Sequence, residues 1–438
     1  MRRIHIEAIT ENERSLARGR SSVPHSAYLA AGAVAILTAC SSSSSGANPT
    51  DAGNDALANV DAPTTEADAG VDSGAATDTG TAAVDAGHTF AFQPSNVRIA
   101  DIGLAATNAK DENVAGACVI ETDPTSPQAS CFASPVETVT QPGGSTVNMV
   151  VVKSLVVASN GSIRVTGKVP LVVVSLSDVT ISGIIDASSK DLNVGPGGAG
   201  PAASNAAGLS TGGGAAGSAS AAIGGSGGSY CGVGGIGGGQ TVGGTTYSST
   251  AIRPLIGGSA GGGGAVGSGA GGGAIQITAA GMITVNAASS ITVGGEGGPI
   301  GGIASNQNAG GGGSGGSILL EATAVTVAGT LAANGGGGGG DYSGAGGANA
   351  TPSATPAAGG AAGPDDGAGG NGAAASTING GPGQTGANLN AGGGGGASGR
   401  IRINSMSGVA TLSSGILSPD ATTACVSQGP LLTAATGP

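Results

Sequence analysis

Aromatic and charged side chains are both scarce in this chain. Tryptophan is absent from its 438 residues, and all aromatic residues together make up 2%. A conventional core depends on aromatic side chains for buried area, so this chain must bury Val, Ile, Leu and Ala in thin layers. Charged residues make up 9% and the net charge is −12. Binding to nucleic acid needs a basic surface, so nucleic acid is excluded as a partner.

Histidine is missing from most of the sequence. The three histidines are His5, His25 and His88, and all precede the segment that we expect to fold. Two stretches, Gly224–Gly228 and Gly312–Gly316, match the G-x-S-x-G pattern of serine hydrolases. A serine nucleophile needs a base to activate it. Because no histidine follows His88, hydrolysis by a Ser-His-Asp triad is excluded.

Glycine, in contrast, is abundant, with 91 residues. The Gly-X-Y period of collagen is missing, and G-x-G-x-x-G matches arise by chance at this content, so no nucleotide cofactor is predicted. Gly336–Asp341 matches half of a calcium-binding nonapeptide repeat. That match occurs once, and Ser343 stands where the repeat has a large apolar residue, so no metal site is predicted.

The first 41 residues carry features of export. A polar, arginine-containing segment precedes the apolar run Ala27–Leu37, which is too short to span a bilayer but fits a signal peptide. The following Leu37–Cys40 resembles the lipobox of bacterial lipoproteins. The resemblance implies that residues 1–39 are removed and that lipidated Cys40 anchors the protein to a membrane. Because Ser41 rather than an aspartate follows the cysteine, the resemblance also implies sorting to the outer membrane. It leaves open whether the protein faces the periplasm or the outside.

Residues 40–88 form a low-complexity segment with eight acidic residues and no lysine or arginine. The segment has little to bury, and its like charges repel one another, so we expect a disordered tether. A calcium-binding acidic tract is the alternative. It is disfavoured because the carboxylates lack the fixed spacing of an EF-hand loop.

Four cysteines follow Cys40, namely Cys118, Cys131, Cys231 and Cys425. Export permits disulfides and the even count supports them, with three possible connectivities. We favour Cys118–Cys131, the nearest pair in sequence, which leaves Cys231–Cys425. A zinc site of cysteines alone is disfavoured because no closely spaced cysteine pair is present.

From Val147 onward, alternating apolar residues rich in Val and Ile predict β-strands, and no stretch has the pattern of an amphipathic helix. The first predicted strands are Leu155–Val157, Ile163–Val165, Leu171–Val174, Val179–Ile181 and Ile184–Ala187. We therefore predict an all-β fold. A β-sandwich or barrel is the alternative to stacked repeats, but it would need aromatic core residues.

Four segments of this region align with one another, beginning at Leu171, Ile275, Ile318 and Ile401. Strands this short bury a face only by stacking on neighbouring copies. The pattern resembles the parallel β-helix of secreted lyases and adhesins, and glycine-rich β-helical lipoproteins of Gram-negative bacteria. That resemblance implies a β-solenoid over residues 146–438, and the more polar residues 89–145 are its predicted N-terminal cap.

Long glycine tracts separate the aligned segments, at Lys190–Ala270, Glu296–Gly313 and Gly335–Ala391. One interpretation is disordered loops. The other is ordered packing of extended glycine chains, bonded backbone to backbone as in collagen, with their Ala and Ser side chains pointing outward.

The expected function is non-enzymatic, as a lipid-anchored structural or adhesive protein of the cell envelope. The alternative is a β-helical protein that binds polysaccharide or cleaves it as a lyase. A lyase needs a base and acidic groups on one face, and Asp178, Asp186, Lys190 and Asp191 are close enough in sequence to meet there. The simpler interpretation is that these charges keep turns soluble. Aromatic platforms for sugars are limited to three tyrosines after residue 146: Tyr230, Tyr247 and Tyr342.

Overall fold

Residues 90–433 are described by a computed structural model of the chain, apart from residues 192, 241, 248, 303–306, 388 and 389. The described residues all belong to one compact unit. The predicted signal peptide, the predicted tether and the three histidines lie outside them, as does Cys40.

The regular structure is all-β, as predicted, with one short helix among the described residues. The strands are β1 Phe92–Gln93, β2 Asp111–Val114, β3 Ala117–Thr122, β4 Gln128–Ala129, β5 Val136–Thr140, β6 Thr146–Val152, β7 Ser154–Val157, β8 Ser162–Gly167, β9 Leu171–Ser175, β10 Val179–Ile181, β11 Ile184–Asp186, β12 Ala274–Val285, β13 Ser290–Thr292, β14 Ser317–Val327, β15 Thr330–Ala332, β16 Arg400–Ser405, β17 Thr411–Leu412, β18 Ile416–Ser418, β19 Val426–Pro430 and β20 Leu432–Thr433. The five strands predicted between Leu155 and Ala187 correspond to β7–β11 and are confirmed.

The helix α1, Ile99–Ala106, was not expected from the sequence. It is two turns long, and Ile102 and Ala105 are its only buried residues. A helix this short shows no sustained 3.6-residue pattern. A single turn of 3₁₀ helix, Ala219–Ala221, also occurs within a glycine tract.

Most strands lie in three rows of parallel neighbours. The first row contains β6, β9, the N-terminal half of β12, the N-terminal half of β14, β16 and β19. The second contains β2, β7, β10, the C-terminal halves of β12 and β14, and β17. The third contains β3, β8, β11, β13, β15 and β18. The antiparallel pairs are β1–β20, β3–β4 and β5–β6.

The register of these rows follows the alignment of the four segments. Ile275 lies beside Leu171 on one side and Ile318 on the other, and Ile318 lies beside Ile401. The aligned positions are therefore lateral neighbours, and this prediction is confirmed. Strands β2 and β3 extend the second and third rows into the segment predicted as a cap.

Two apolar clusters hold the rows together. The larger cluster is aliphatic and is enclosed by inward side chains of all three rows, such as Leu171, Ile283 and Leu331. The second covers the outer side of the first row, where Met149 and Val172 pack against Phe92 and α1. The first row is therefore buried on both faces, which explains the continuous apolar sequence of β9.

Three long excursions leave the third row after β11, β13 and β15, and each returns to the first row. They contain the glycine tracts. These tracts are ordered: their backbone amides donate to carbonyls of neighbouring tracts, which decides between the two interpretations of the sequence. We call the assembled tracts the glycine array.

The segment 308–316 shows how the array is built. Its N–H groups donate in turn to carbonyl oxygens of three neighbouring segments. The segment 391–397 accepts from Ala309, Gly312 and Gly315, and the segment 293–299 accepts from Gly310, Gly313 and Gly316. The segment 259–262 accepts from Gly311 and Ser314. Its carbonyls accept from 225–228, 336–339 and 269–272. The three-residue period is that of the polyproline II helix. Six segments therefore surround the segment 308–316. The packing is so close that a Cβ at Gly312 would collide with the carbonyl oxygen of Gly336.

The expected outward orientation of the array's small side chains is wrong at several positions. Ser226, Ser229, Ser259 and Ser314 are completely buried. Ser226 Oγ donates to the carbonyl oxygen of Val242 at 2.9 Å, and Ser314 Oγ accepts from the amide of Ser259 at 2.9 Å. These hydroxyls satisfy backbone groups inside the array, which is why they can be buried there.

Candidate functional site

A cluster of charged side chains lies on the outer surface of the third row, near its N-terminal strands. Residues alternate between core and surface along β3, β8 and β11. The register places Glu121 of β3 beside Thr166 of β8, and Arg164 of β8 beside Asp186 of β11. Alternation and register together bring residues distant in sequence into one patch, which we call the ion-paired patch.

All three ion pairs found among the described residues belong to this patch. Asp186 accepts from two cations, with Oδ1 at 3.0 Å from Arg164 Nη1 and Oδ2 at 2.6 Å from Lys190 Nζ. Asp123, which follows β3, lies 2.9 Å from Lys168 Nζ through its Oδ2. The patch therefore carries both signs of charge.

The pKa values of these groups follow from their contacts. A hydrogen bond from the Thr125 hydroxyl, and then the contact with Lys168, hold the pKa of Asp123 well below its usual range. The same contact raises the pKa of Lys168. Burial alone would raise the pKa of Asp186, but the hydrogen bond from Lys190 and the charge of Arg164 outweigh it, so the pKa is lowered.

Lys168 separates two open clefts. One has a volume of about 410 Å³, and its lining includes Glu121, Thr166, Lys168 and Asn193. The other has a volume of about 370 Å³, and its lining includes Lys168, Gln141, Ser145, Pro170 and Leu255. Lys168 therefore lines both clefts, and the first of them also contains the polar side chains of Thr166 and Asn193.

This geometry favours binding over base catalysis. The Lys168 side chain is 77% exposed, so its ion pair contributes little to stability and the ammonium group stays accessible to a ligand. A lysine that acts as a catalytic base needs a lowered pKa, whereas contact with Asp123 raises that of Lys168. The arrangement suits a ligand rich in hydroxyl groups or carboxylates.

The four charged residues proposed from the sequence as a lyase-like cluster meet only in part. Lys190 pairs with Asp186. Asp178 precedes β10 in the second row, where its Oδ1 accepts from the amide of Met282 at 2.7 Å. Asp191 is exposed at a turn with φ of 53°. Sequence reasoning missed that Arg164 pairs with Asp186 and Asp123 with Lys168, because only the register of the strands brings each pair together.

The cysteines and serines singled out from the sequence are disulfide-bonded or buried. The structure joins Cys118 to Cys131 and Cys231 to Cys425, the two pairs that sequence proximity favoured. The second bond ties the glycine array to the residue that precedes β19. Both G-x-S-x-G serines are the completely buried Ser226 and Ser314.

The tyrosines do not form a flat platform for sugars. Tyr230 is completely buried, and its ring packs edge to face on Tyr247 with the centroids 4.8 Å apart. Its hydroxyl donates to the carbonyl oxygen of Ile256 at 2.9 Å. Tyr342 lies elsewhere in the array and is partly exposed.

Within residues 90–433 and outside the gaps named above, no three His, Cys, Asp or Glu side chains are grouped so that they could hold a metal ion. In the same residues no helix has the length and apolar character needed to cross a membrane. A scan against protein-family models, a search of curated proteins and a search of solved structures each returned no match.

Proposed function

We propose that this protein is a non-enzymatic, lipid-anchored component of the outer membrane, structural or adhesive, and that it acts through an extended rigid surface. The observation that supports this proposal is the ordered glycine array. Its backbone hydrogen bonds hold segments from Gly224 to Gly399 in one ordered body, and such a body offers a large surface of fixed shape. The anchor is Cys40, as the lipobox-like sequence implies, and residues 41–88 are the tether.

The proposed architecture beneath this surface is a parallel β-helix. The support is that the chain visits the three rows in the same order on successive passes, with in-register parallel neighbours. On this view each excursion is an insertion at one corner of the coil, and the array is built from three such insertions. An electron-density map of the purified protein would test the coil directly.

Two substitutions next to the proposed cleavage site test the anchor. Cys40→Ala removes the residue that would be lipidated, so the protein should leave the membrane fraction of the cell. Ser41→Asp keeps the cysteine but changes the residue that the lipoprotein resemblance links to sorting, so the protein should stay lipidated and shift to the inner membrane. Fractionation with detection of acyl chains by mass spectrometry measures both outcomes.

The result that would contradict the anchor is a Cys40→Ala protein that fractionates like the wild type. Protease treatment of intact cells then determines on which side of the outer membrane the array lies. Loss of the array from intact cells would indicate the outer surface, which an adhesive role requires.

A second candidate function is the binding of an acidic or hydroxyl-rich polysaccharide at the clefts beside Lys168. The exposed ammonium group of Lys168, with Asn193 and Thr166 beside it, favours this ligand class. Lys168→Ala should weaken binding about tenfold, as expected for a lost charge-assisted hydrogen bond. Affinity electrophoresis against uronate polymers measures the change.

Lys153→Ala is the matched control, because Lys153 is also an exposed lysine but lines neither cleft. Equal loss of binding in both variants would point to unspecific attraction of charge and count against a site at Lys168. Turnover of a uronate polymer by the wild-type protein would instead establish an enzyme and overturn the first proposal.

A further inference from the structure

One carboxylate inside the glycine array has an oxygen without a partner. Asp341 ends the tract Gly335–Gly340 and is completely buried. Its Oδ1 accepts from the amide of Tyr342 at 2.7 Å. Its Oδ2 is buried and has no hydrogen-bond partner among the described residues. A buried carboxylate oxygen that accepts no hydrogen bond is costly, so Oδ2 is a candidate ligand for a cation.

A second carboxylate lies close by, at the turn that contains Asp366. The amide of Asp341 donates to the carbonyl oxygen of Gly367 at 3.1 Å, which places this turn against the end of the tract. Asp366 is half-buried, and its Oδ1 accepts from Asn390 Nδ2 at 2.7 Å while its Oδ2 accepts from Ser343 Oγ at 3.3 Å. The site therefore reaches the surface through Asp366 and the exposed Ser343.

No ion pair among the described residues balances these two carboxylates. Among the described residues, every ion pair belongs to the ion-paired patch, and none includes Asp341 or Asp366. Burial, together with the charge of Asp366, raises the pKa of Asp341 to about 6.

We propose that Asp341 and Asp366 bind a divalent cation, with Ca²⁺ as the best fit. Ca²⁺ takes carboxylate, carbonyl and water oxygens in flexible geometry, and sites on extracellular modules bind it with dissociation constants of about 0.1–1 mM. The Asp341 Oδ2 atom and the Asp366 carboxylate supply the charged ligands, and water completes the shell. The ion pins the turn around Asp366 to the end of the tract. This inference does not depend on the anchor or on adhesion.

Thermal unfolding of the full-length protein tests the proposal. At pH 7.5 we expect 10 mM CaCl₂ to raise the Tm by about 2 °C relative to KCl of equal ionic strength, given a millimolar dissociation constant. Asp341→Asn should abolish the shift, and Asp366→Asn, at the half-buried end of the site, provides a second variant. Asp365→Asn is the matched control, because the exposed Asp365 is adjacent and carries the same charge.

Tb³⁺ luminescence gives an independent measurement, because Tyr342 lies next to Asp341 and can transfer excitation energy to a bound Tb³⁺ ion. Emission should fall on addition of Ca²⁺, in Tyr342→Phe and in Asp341→Asn, and persist in Asp365→Asn. The proposal is overturned if Ca²⁺ leaves the Tm unchanged, or if Asp365→Asn loses the response as fully as Asp341→Asn.

Discussion

The carboxylate of Glu321 accepts hydrogen bonds from four residues that lie far apart in the sequence. Its Oε1 accepts from Ser95 Oγ at 2.6 Å and Asn404 Nδ2 at 2.9 Å. Its Oε2 accepts from the Ser95 amide at 2.9 Å, Gln276 Nε2 at 2.8 Å and Thr278 Oγ1 at 3.3 Å. Glu321 is the only charged residue of β14, and nothing in the local sequence indicates these partners. The chain around Ser95 covers this face of the first row, and only the tertiary structure reveals that.

Replacing Glu321 with alanine should therefore destabilise the fold by at least about 3 kcal/mol, because several buried donors lose their acceptor at once. Glu321→Gln keeps one acceptor oxygen and should cost about half as much. Chemical denaturation measures both values. The control is Glu121→Ala, at an exposed glutamate, which should change stability by no more than about 0.5 kcal/mol. Similar losses at positions 321 and 121 would contradict the role assigned to the network.

At the scale of elements, the sequence was informative wherever short-range alternation determines which side chains face the core. The alignment of Leu171, Ile275, Ile318 and Ile401 predicted lateral neighbours, because equivalent core positions in stacked strands must share a register. It was uninformative for α1, which is two turns long and has no sustained period. The ion-paired patch was equally hidden, since Asp123 and Lys168 directly follow two different strands, β3 and β8, and no core pattern links these positions.

At the scale of the whole molecule, the glycine tracts form a second ordered body beside the strands. Composition alone could not distinguish this body from disordered loops. Glycine has the largest conformational entropy in a disordered chain, and it also permits the closest packing of backbones. The deciding information is long-range: the amide of Gly312 donates to Gly394, and its carbonyl accepts from Gly228. No local pattern in the sequence specifies those partners.

Gly312 therefore gives the sharpest test of the array. A Cβ there would collide with the carbonyl oxygen of Gly336, so Gly312→Ala should cost about 1–3 kcal/mol through overpacking. Because six segments meet at 308–316, we also expect faster amide exchange at Gly228, Gly336 and Gly394. Gly200→Ala is the control, since a Cβ there meets nothing within 4 Å. Its stability should change little, and its exchange rates should match the wild type. Exchange at free-peptide rates through these tracts in the wild-type protein would show that the glycine segments do not pack as one body.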